Sequence, residues 1–139
     1  MSTMTVSDLM STEVVTIGRN ETLKSAEAQM GSSQVRHLPV IDSDGKLCGI
    51  LSARDLFRGA LLRALGYGSR AEELMLNTTV VKEAMVESPH VVAPTTPLDA
   101  AAQMLLDNKI GCLPVVSDGK LVGILSEGDF VRLAIRSDV

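Results

Sequence analysis

Two seven-residue stretches carry side chains that can hold a sugar phosphate: Gly49-Ile50-Leu51-Ser52-Ala53-Arg54-Asp55 and Gly123-Ile124-Leu125-Ser126-Glu127-Gly128-Asp129. In each, glycine lets another group approach the strand backbone closely. Serine sits where the strand gives way to a helix, whose first N–H groups lack internal partners and carry partial positive charge. An anion such as phosphate fits there. An aspartate three residues on can accept two hydrogen bonds from a vicinal diol, as in ribose. Ser-x-x-Asp is equally a helix capping box that needs no ligand. Both copies share the Gly, the Ser and the Asp at equal spacing, and a capping box does not require the upstream glycine. The two readings are compatible, because an empty site can cap itself.

The motif belongs to a longer repeat. Val35-Arg36-His37-Leu38-Pro39-Val40 matches Ile110-Gly111-Cys112-Leu113-Pro114-Val115 at an offset of 75 (113 − 38), and the seven-residue motif matches at 74 (129 − 55). The missing residue falls in a turn, where Asp42-Ser43-Asp44-Gly45 faces Ser117-Asp118-Gly119. A repeat that loses a residue in a turn but keeps its strands is a repeated fold unit, and two such units usually stack.

Each repeat reads β-α-β-β-α. Val6–Met10 and Val81–Met85 are lead-in helical turns. The β-branched runs Val14–Ile17 and His90–Val92 read as short strands. A helix follows, with the stripe Leu23, Ala26, Met30 in the first repeat and Leu98, Ala101, Ala102, Leu105 in the second. Thr96-Pro97-Leu98-Asp99 reads as its N-cap, a proline at the first helical position and a reciprocal carboxylate. Hairpins over Leu38–Ile41 with Leu47–Leu51, and Leu113–Val116 with Leu121–Leu125, lead to a second helix after Ser52 or Ser126. The division is 1–62 for the first repeat, 63–78 for a linker and 79–139 for the second. The stretch Leu56–Thr79 reads as a helix, a turn at Gly66 and Gly68, and a second short helix. Its leucines need a partner surface.

Composition removes several functions. Phe57, Tyr67 and Phe130 are the only aromatic residues in a chain of 139, so the stacking platforms of single-strand binders are missing. The net charge of −4 argues against broad binding to nucleic-acid phosphates. Cys48 and Cys112 have no metal-ligand spacing and read as buried small hydrophobes; no metal is expected. No phosphate loop and no recurring nucleophile–base pair appear, so no enzyme is expected. No apolar run is long enough to cross a bilayer, and no charged-then-apolar leader opens the sequence, which leads us to expect a soluble cytoplasmic protein that makes no use of a membrane.

The ordered set of Asp8-Leu9-Met10 and Glu83-Ala84-Met85, Leu-Pro-Val in both repeats and Gly-h-h-Ser-x-x-Asp in both resembles a tandem pair of CBS domains, a Bateman module. The resemblance covers essentially the whole chain. It implies an α+β fold in which two repeats pack through their sheets with pseudo-twofold symmetry, and two clefts that commonly take AMP, ADP, ATP or S-adenosylmethionine, with no further cofactor. It implies a first cleft with Ser126, Asp129 and Ile124 facing Val14, Val15, Val35, Arg36 and His37. The second joins Ser52, Asp55 and Ile50 to Pro89, His90, Ile110, Gly111 and Cys112. Asp55 and Asp129 would hold ribose, Ser52 and Ser126 phosphate, and Ile50 and Ile124 would flank the base. Arg36, a fork donor suited to phosphate, would make the first cleft the tighter. The resemblance also implies a homodimer through the second helices, with Phe57, Ala60, Leu61, Val131, Ala134 and Ile135, and a regulatory role toward an effector protein. A ligand-free dimerisation module and an S-adenosylmethionine sensor are the alternatives.

Overall fold

The computed structural model describes residues 3–136, with side chains outside 58–60 and 63. Two compact units form. Val15–Ser88 make a central unit; the segment up to Val14 joins the segment from Pro89 onward in a terminal unit.

In the central unit the order is β1 (Ile17–Gly18), α1 (Leu23–Ser33), β2 (His37–Ile41), β3 (Leu47–Ser52), a 3-10 turn at Ala53–Leu56, α2 (Phe57–Ala64), α3 (Gly68–Thr78), the single-turn α4 (Val81–Ala84) and β4 (Val86–Glu87). The sheet runs β1-β2-β3-β4, with β1 parallel to β2 and the other pairs antiparallel. Thr22 starts α1 by accepting the Ser25 N–H at 3.1 Å, and Gln34 ends it in the left-handed region. The Asp42 carboxylate closes the hairpin turn by accepting the N–H groups of Asp44 and Lys46 at 2.9 and 3.0 Å. Gly66 and Gly68, both at positive φ, break the linker into α2 and α3 as expected. Lys24 on α1 reaches Glu73 on α3 at 3.1 Å.

The terminal unit repeats the plan with a 3-10 turn at Val6–Asp8, α5 (Leu98–Asn108), β5 (Cys112–Ser117), β6 (Lys120–Ser126) and α6 (Glu127–Arg136). Asp118 and Gly119 both take positive φ, the pattern of a tight hairpin turn. The outer strands shrink to single bridges, Val92 parallel to Val115 and Ser11 antiparallel to Ile124.

The two cores use the same positions. Ile17, Leu23, Ala26, Met30, Leu38, Val40 and Leu51 correspond to Val92, Leu98, Ala101, Leu105, Leu113, Val115 and Leu125. Burying each large one stabilises by about 1.5–3 kcal/mol. The lead-in segments are exchanged. Val81 of the second repeat is buried in the core of the central unit, and Val6 of the first repeat in that of the terminal unit.

Three local expectations are corrected. Of Val14–Ile17 only Ile17 enters a strand, which continues to Gly18. His90–Val92 contributes one bridge, because the chain turns at Pro94 once Val92 has donated to the Pro114 carbonyl and accepted from the Val116 N–H. Pro97 occupies the N-cap of α5; the Thr96 hydroxyl accepts the Ala93 N–H at 3.0 Å, and Asp99 binds the Ala100 N–H. The Thr96 oxygen is spent on the preceding turn, so the expected capping box does not form.

Exchange of the lead-ins explains the two motif glycines. A Cβ on Gly49 would lie 2.5 Å from Met85 Sδ and 2.9 Å from the Val86 carbonyl; one on Gly123 would lie 2.7 Å from Met10 Sδ and 2.9 Å from the Ser11 carbonyl. The close approach is the protein's own crossing strand. Gly49→Ala and Gly123→Ala should each destabilise by about 1–3 kcal/mol, as overpacking does. Gly31→Ala, in α1 with open space around it, should stabilise by roughly 0.5–1 kcal/mol. Denaturant unfolding of the three variants checks the order; equal effects at all three would remove this account of the glycines.

Candidate functional site

Each strand that carries the motif ends in a turn closed by its own aspartate. In the central unit Asp55 Oδ2 accepts from Ser52 N at 2.7 Å and from Ser52 Oγ at 3.0 Å. In the terminal unit Asp129 Oδ2 accepts from Ser126 N at 2.8 Å and Ser126 Oγ at 3.2 Å. The capping reading is therefore realised, twice and with near-identical geometry.

The segment before the adjoining strand holds the next residue of each turn. Ala53 N donates to the Arg36 carbonyl at 2.7 Å, and Glu127 N to the Gly111 carbonyl at 2.9 Å. His37 stands opposite Ser52 in the β2–β3 register, and Cys112 opposite Ser126 in the β5–β6 register. Ile50 and Ile124, half-buried, stand opposite Pro39 and Pro114.

Each expected grouping draws residues from both units. Ser52, Asp55 and Ile50 share the central unit with Val15, Val35, Arg36 and His37; Ser126, Asp129 and Ile124 share the terminal unit with Val14, Pro89, His90, Ile110, Gly111 and Cys112. Arg36 and His90 are exposed; Val14, Val15, Val35, His37, Pro89, Ile110 and Gly111 are half-buried.

The two carboxylates differ. Asp55 is half-buried, whereas Asp129 is only 5% exposed and its second oxygen, Oδ1, accepts from Arg132 at 2.5 Å. Asp129 and Arg132 line a cavity of about 370 Å³ with Leu9, Ile135 and Arg136. Sequence reasoning missed both arginines. The available signal was the i, i+3 spacing of Asp129 and Arg132, which places opposite charges side by side on a helix.

Neither cysteine is poised for nucleophilic work. Burial pushes the Cys112 thiol up to about 12, helped by the nearby Glu127 carboxylate. Cys48 is half-buried rather than buried; its thiol donates to the Val40 carbonyl at 3.4 Å, and burial raises it too. Among the described residues no group of His, Cys, Asp and Glu could hold a metal ion, and no helix is long and apolar enough to cross a membrane.

Two helix faces remain uncovered within their own units. Phe57, Leu61 and Leu65 recur every four residues and are 65%, 57% and 65% exposed; Val131 and Ile135 on α6 are 58% and 77% exposed. Ala134 is exposed as well, and the Ala60 side chain lies outside those described.

Comparison with known proteins places these features. The family model of the CBS domain matches twice, over residues 6–61 and 81–136. A CBS domain-containing protein of Dictyostelium discoideum is 31% identical over 134 residues, covering 94% of this chain and 91% of its own. The chain also spans 56% of a longer relative, the chloroplastic CBSX1 protein of Arabidopsis thaliana, at 34% identity. The crystal structure of CBSX2 in complex with AMP superposes with a TM-score of 0.81 at 31% identity, covering 98% of this chain and 99% of that one. The CBS domain pair of protein MJ0100, in complex with 5′-methylthioadenosine and S-adenosyl-L-methionine, gives 0.77 at 25% identity, covering 96% and 97%.

Proposed function

Because this chain belongs to the CBS-domain family and carries two CBS domains in tandem, we propose that it is a non-catalytic regulatory module that binds an adenine nucleotide (AMP, ADP or ATP) at its two Ser-x-x-Asp turns. The observation that carries the reading is the pair of serine–aspartate contacts. In each turn a serine hydroxyl donates to the carboxylate oxygen that a ribose diol would use. If the serine hydroxyl turns to a phosphate, the carboxylate regains an acceptor position for the sugar. Ligand contacts then replace internal ones of the same kind, and the helix start keeps its backbone cap. AMP in the CBSX2 structure supports the choice of ligand. The methylthioadenosine and S-adenosylmethionine of the MJ0100 pair support an adenosyl sensor as the second reading.

In this proposal Asp55 and Asp129 take ribose, Ser52 and Ser126 take phosphate, and Ile50 and Ile124 flank the base. The resemblance groups Arg36 and His37 with Ser126 and Asp129, and Gly111 and Cys112 with Ser52 and Asp55. Val14, Val15, Val35, Pro89, His90 and Ile110 complete the surroundings. The repeats run over 1–62 and 79–139 with 63–78 between them, in a cytoplasmic protein that passes its ligand state to an effector. The exposed stripes on α2 and α6 form the contact of a homodimer, since apolar surface of this kind marks association.

Calorimetry against AMP, ADP, ATP and S-adenosylmethionine tests the function. The site built on Ser126 and Asp129, to which the resemblance assigns Arg36, should be the tighter for phosphorylated ligands. Asp129→Ala should weaken it by roughly 10- to 150-fold, the equivalent of about 1.5–3 kcal/mol for hydrogen bonds to a charged group. Asp55→Ala should spare it. The reverse ranking would reverse the assignment of Arg36. Unchanged affinity in both variants would refute the ribose role. Each variant also loses a cap worth about 1 kcal/mol, so unfolding is measured in parallel. Light scattering at micromolar concentration should give a dimer; a monomer would remove the assigned contact.

A further inference from the structure

We propose that Met10 is a peroxide-sensitive latch: oxidation of its thioether to the sulfoxide frees the lead-in of the first repeat from the edge of β6. Met10 packs against the core of the terminal unit, and its Sδ would stand 2.7 Å from a Cβ placed on Gly123. The sulfur therefore fills the space that the glycine leaves. Met30 is buried in the central core, whereas Met10 is half-buried, which leaves the residue within reach of a small hydroperoxide. The chain just after Met10 is held to β6 by one bridge. Ser11 N donates to the Ile124 carbonyl at 2.9 Å, and Ile124 N donates to the Ser11 carbonyl at 3.0 Å. Met85 makes the equivalent contact with Gly49, but it leads straight into β4, which pairs with β3 at two positions. The latch with less behind it is the one at Met10.

The step is a two-electron oxidation. A sulfur lone pair attacks one oxygen of hydrogen peroxide; the S–O bond forms, the O–O bond breaks, and the second oxygen leaves as water with both protons. The flexible apolar thioether becomes a larger, polar sulfoxide. If the side chain stays, its new oxygen has two poor directions. Toward β6 it enters a gap too short for a methyl carbon. Toward the core it lies among apolar side chains that offer no donor. Solvent is the remaining direction, and a side chain that swings there draws Ser11 off Ile124. Upstream, buried Val6 and the bonds of Val6 N and Ser7 N to the Thr96 and Pro94 carbonyls hold the lead-in, so the opening stays local. Methionine sulfoxide reductases reverse the oxidation, which makes the device a switch. Its consequence for binding rests on the base-flanking role proposed for Ile124: with the β6 edge free, that residue loses its fixed position and the nucleotide binds more weakly.

The test treats the full-length protein with hydrogen peroxide, follows each methionine by peptide mass spectrometry and reads amide hydrogen exchange. After oxidation the Ser11 and Ile124 amides should exchange at least about tenfold faster, equal to roughly 1.4 kcal/mol of local protection. Val116, bonded to the Val92 carbonyl on the other edge of the hairpin, should keep its rate. Met10→Leu, a swap of similar volume that peroxide leaves alone, should hold both amides at the untreated rate through the same treatment. A reductase should restore slow exchange in the oxidised protein. The proposal is overturned by unchanged exchange once Met10 is a sulfoxide, by equal acceleration in treated Met10→Leu, or by loss of protection at Val116 as well. It is also overturned if Met10 stays a thioether while half-buried Met104 is oxidised. AMP titration of the same samples reads the consequence, a loss of affinity on oxidation that Met10→Leu escapes. An open bridge with unchanged affinity would remove the base-flanking role of Ile124. If the untreated protein binds no AMP, the proposed function fails, and exchange alone still decides the latch.

Discussion

One contact, made twice, organises this protein: an aspartate oxygen that accepts the backbone N–H and the hydroxyl of the serine three residues before it. It stands where a strand must become a helix, the point at which backbone donors run out of partners. Without it the turn would carry exposed N–H dipoles beside a half-buried serine. With it the chain leaves the sheet at a fixed angle, and the following turn is tied to the neighbouring strand through the Arg36 and Gly111 carbonyls. A carboxylate that caps a helix and a carboxylate that holds a diol need the same oxygen lone pairs at the same place. In the proposed function a self-capped turn serves as a preorganised site, with the internal hydroxyl standing in for the ligand's.

The exchange of lead-in segments supplies the second constraint. Each hairpin is flanked on its far side by a piece of the other repeat, Met85-Val86 against Gly49 and Met10-Ser11 against Gly123. The crossing strand passes so near that only glycine fits. A sequence repeat is consequently not a compact unit here. The core of Val15–Ser88 is finished by Val81, and the core of the terminal unit by Val6.

The repeat made most of this fold legible. Leu23, Ala26 and Met30, with Leu98, Ala101 and Leu105, face their cores as their helical spacing requires, and Gly66 and Gly68 break the linker where they stand. Elements that depend on distant partners were not legible. Val86–Glu87 has no strand-like alternation and pairs only because β3 lies beside it. Val14-Val15 has β-branched residues but no partner strand. The glycines were legible as points of close approach, yet nothing local says that Met85 and Met10 fill them. At the site, serine and aspartate could be read from the repeat. Arg132 needed the helix geometry, and Arg136, which departs from the repeat, needed the cavity wall.

The account turns on one claim, that nucleotide and helix cap share the same carboxylate. Amide nuclear magnetic resonance of the labelled protein titrated with AMP addresses it directly. The backbone N–H groups of Ser52 and Ser126 report on their bonds to Asp55 and Asp129, and those of Asp44 and Lys46, held by Asp42 in a remote turn, serve as references. The account predicts saturable shifts at the two serines with the reference amides unmoved. Saturable shifts elsewhere, with Ser52 and Ser126 unchanged, would contradict it.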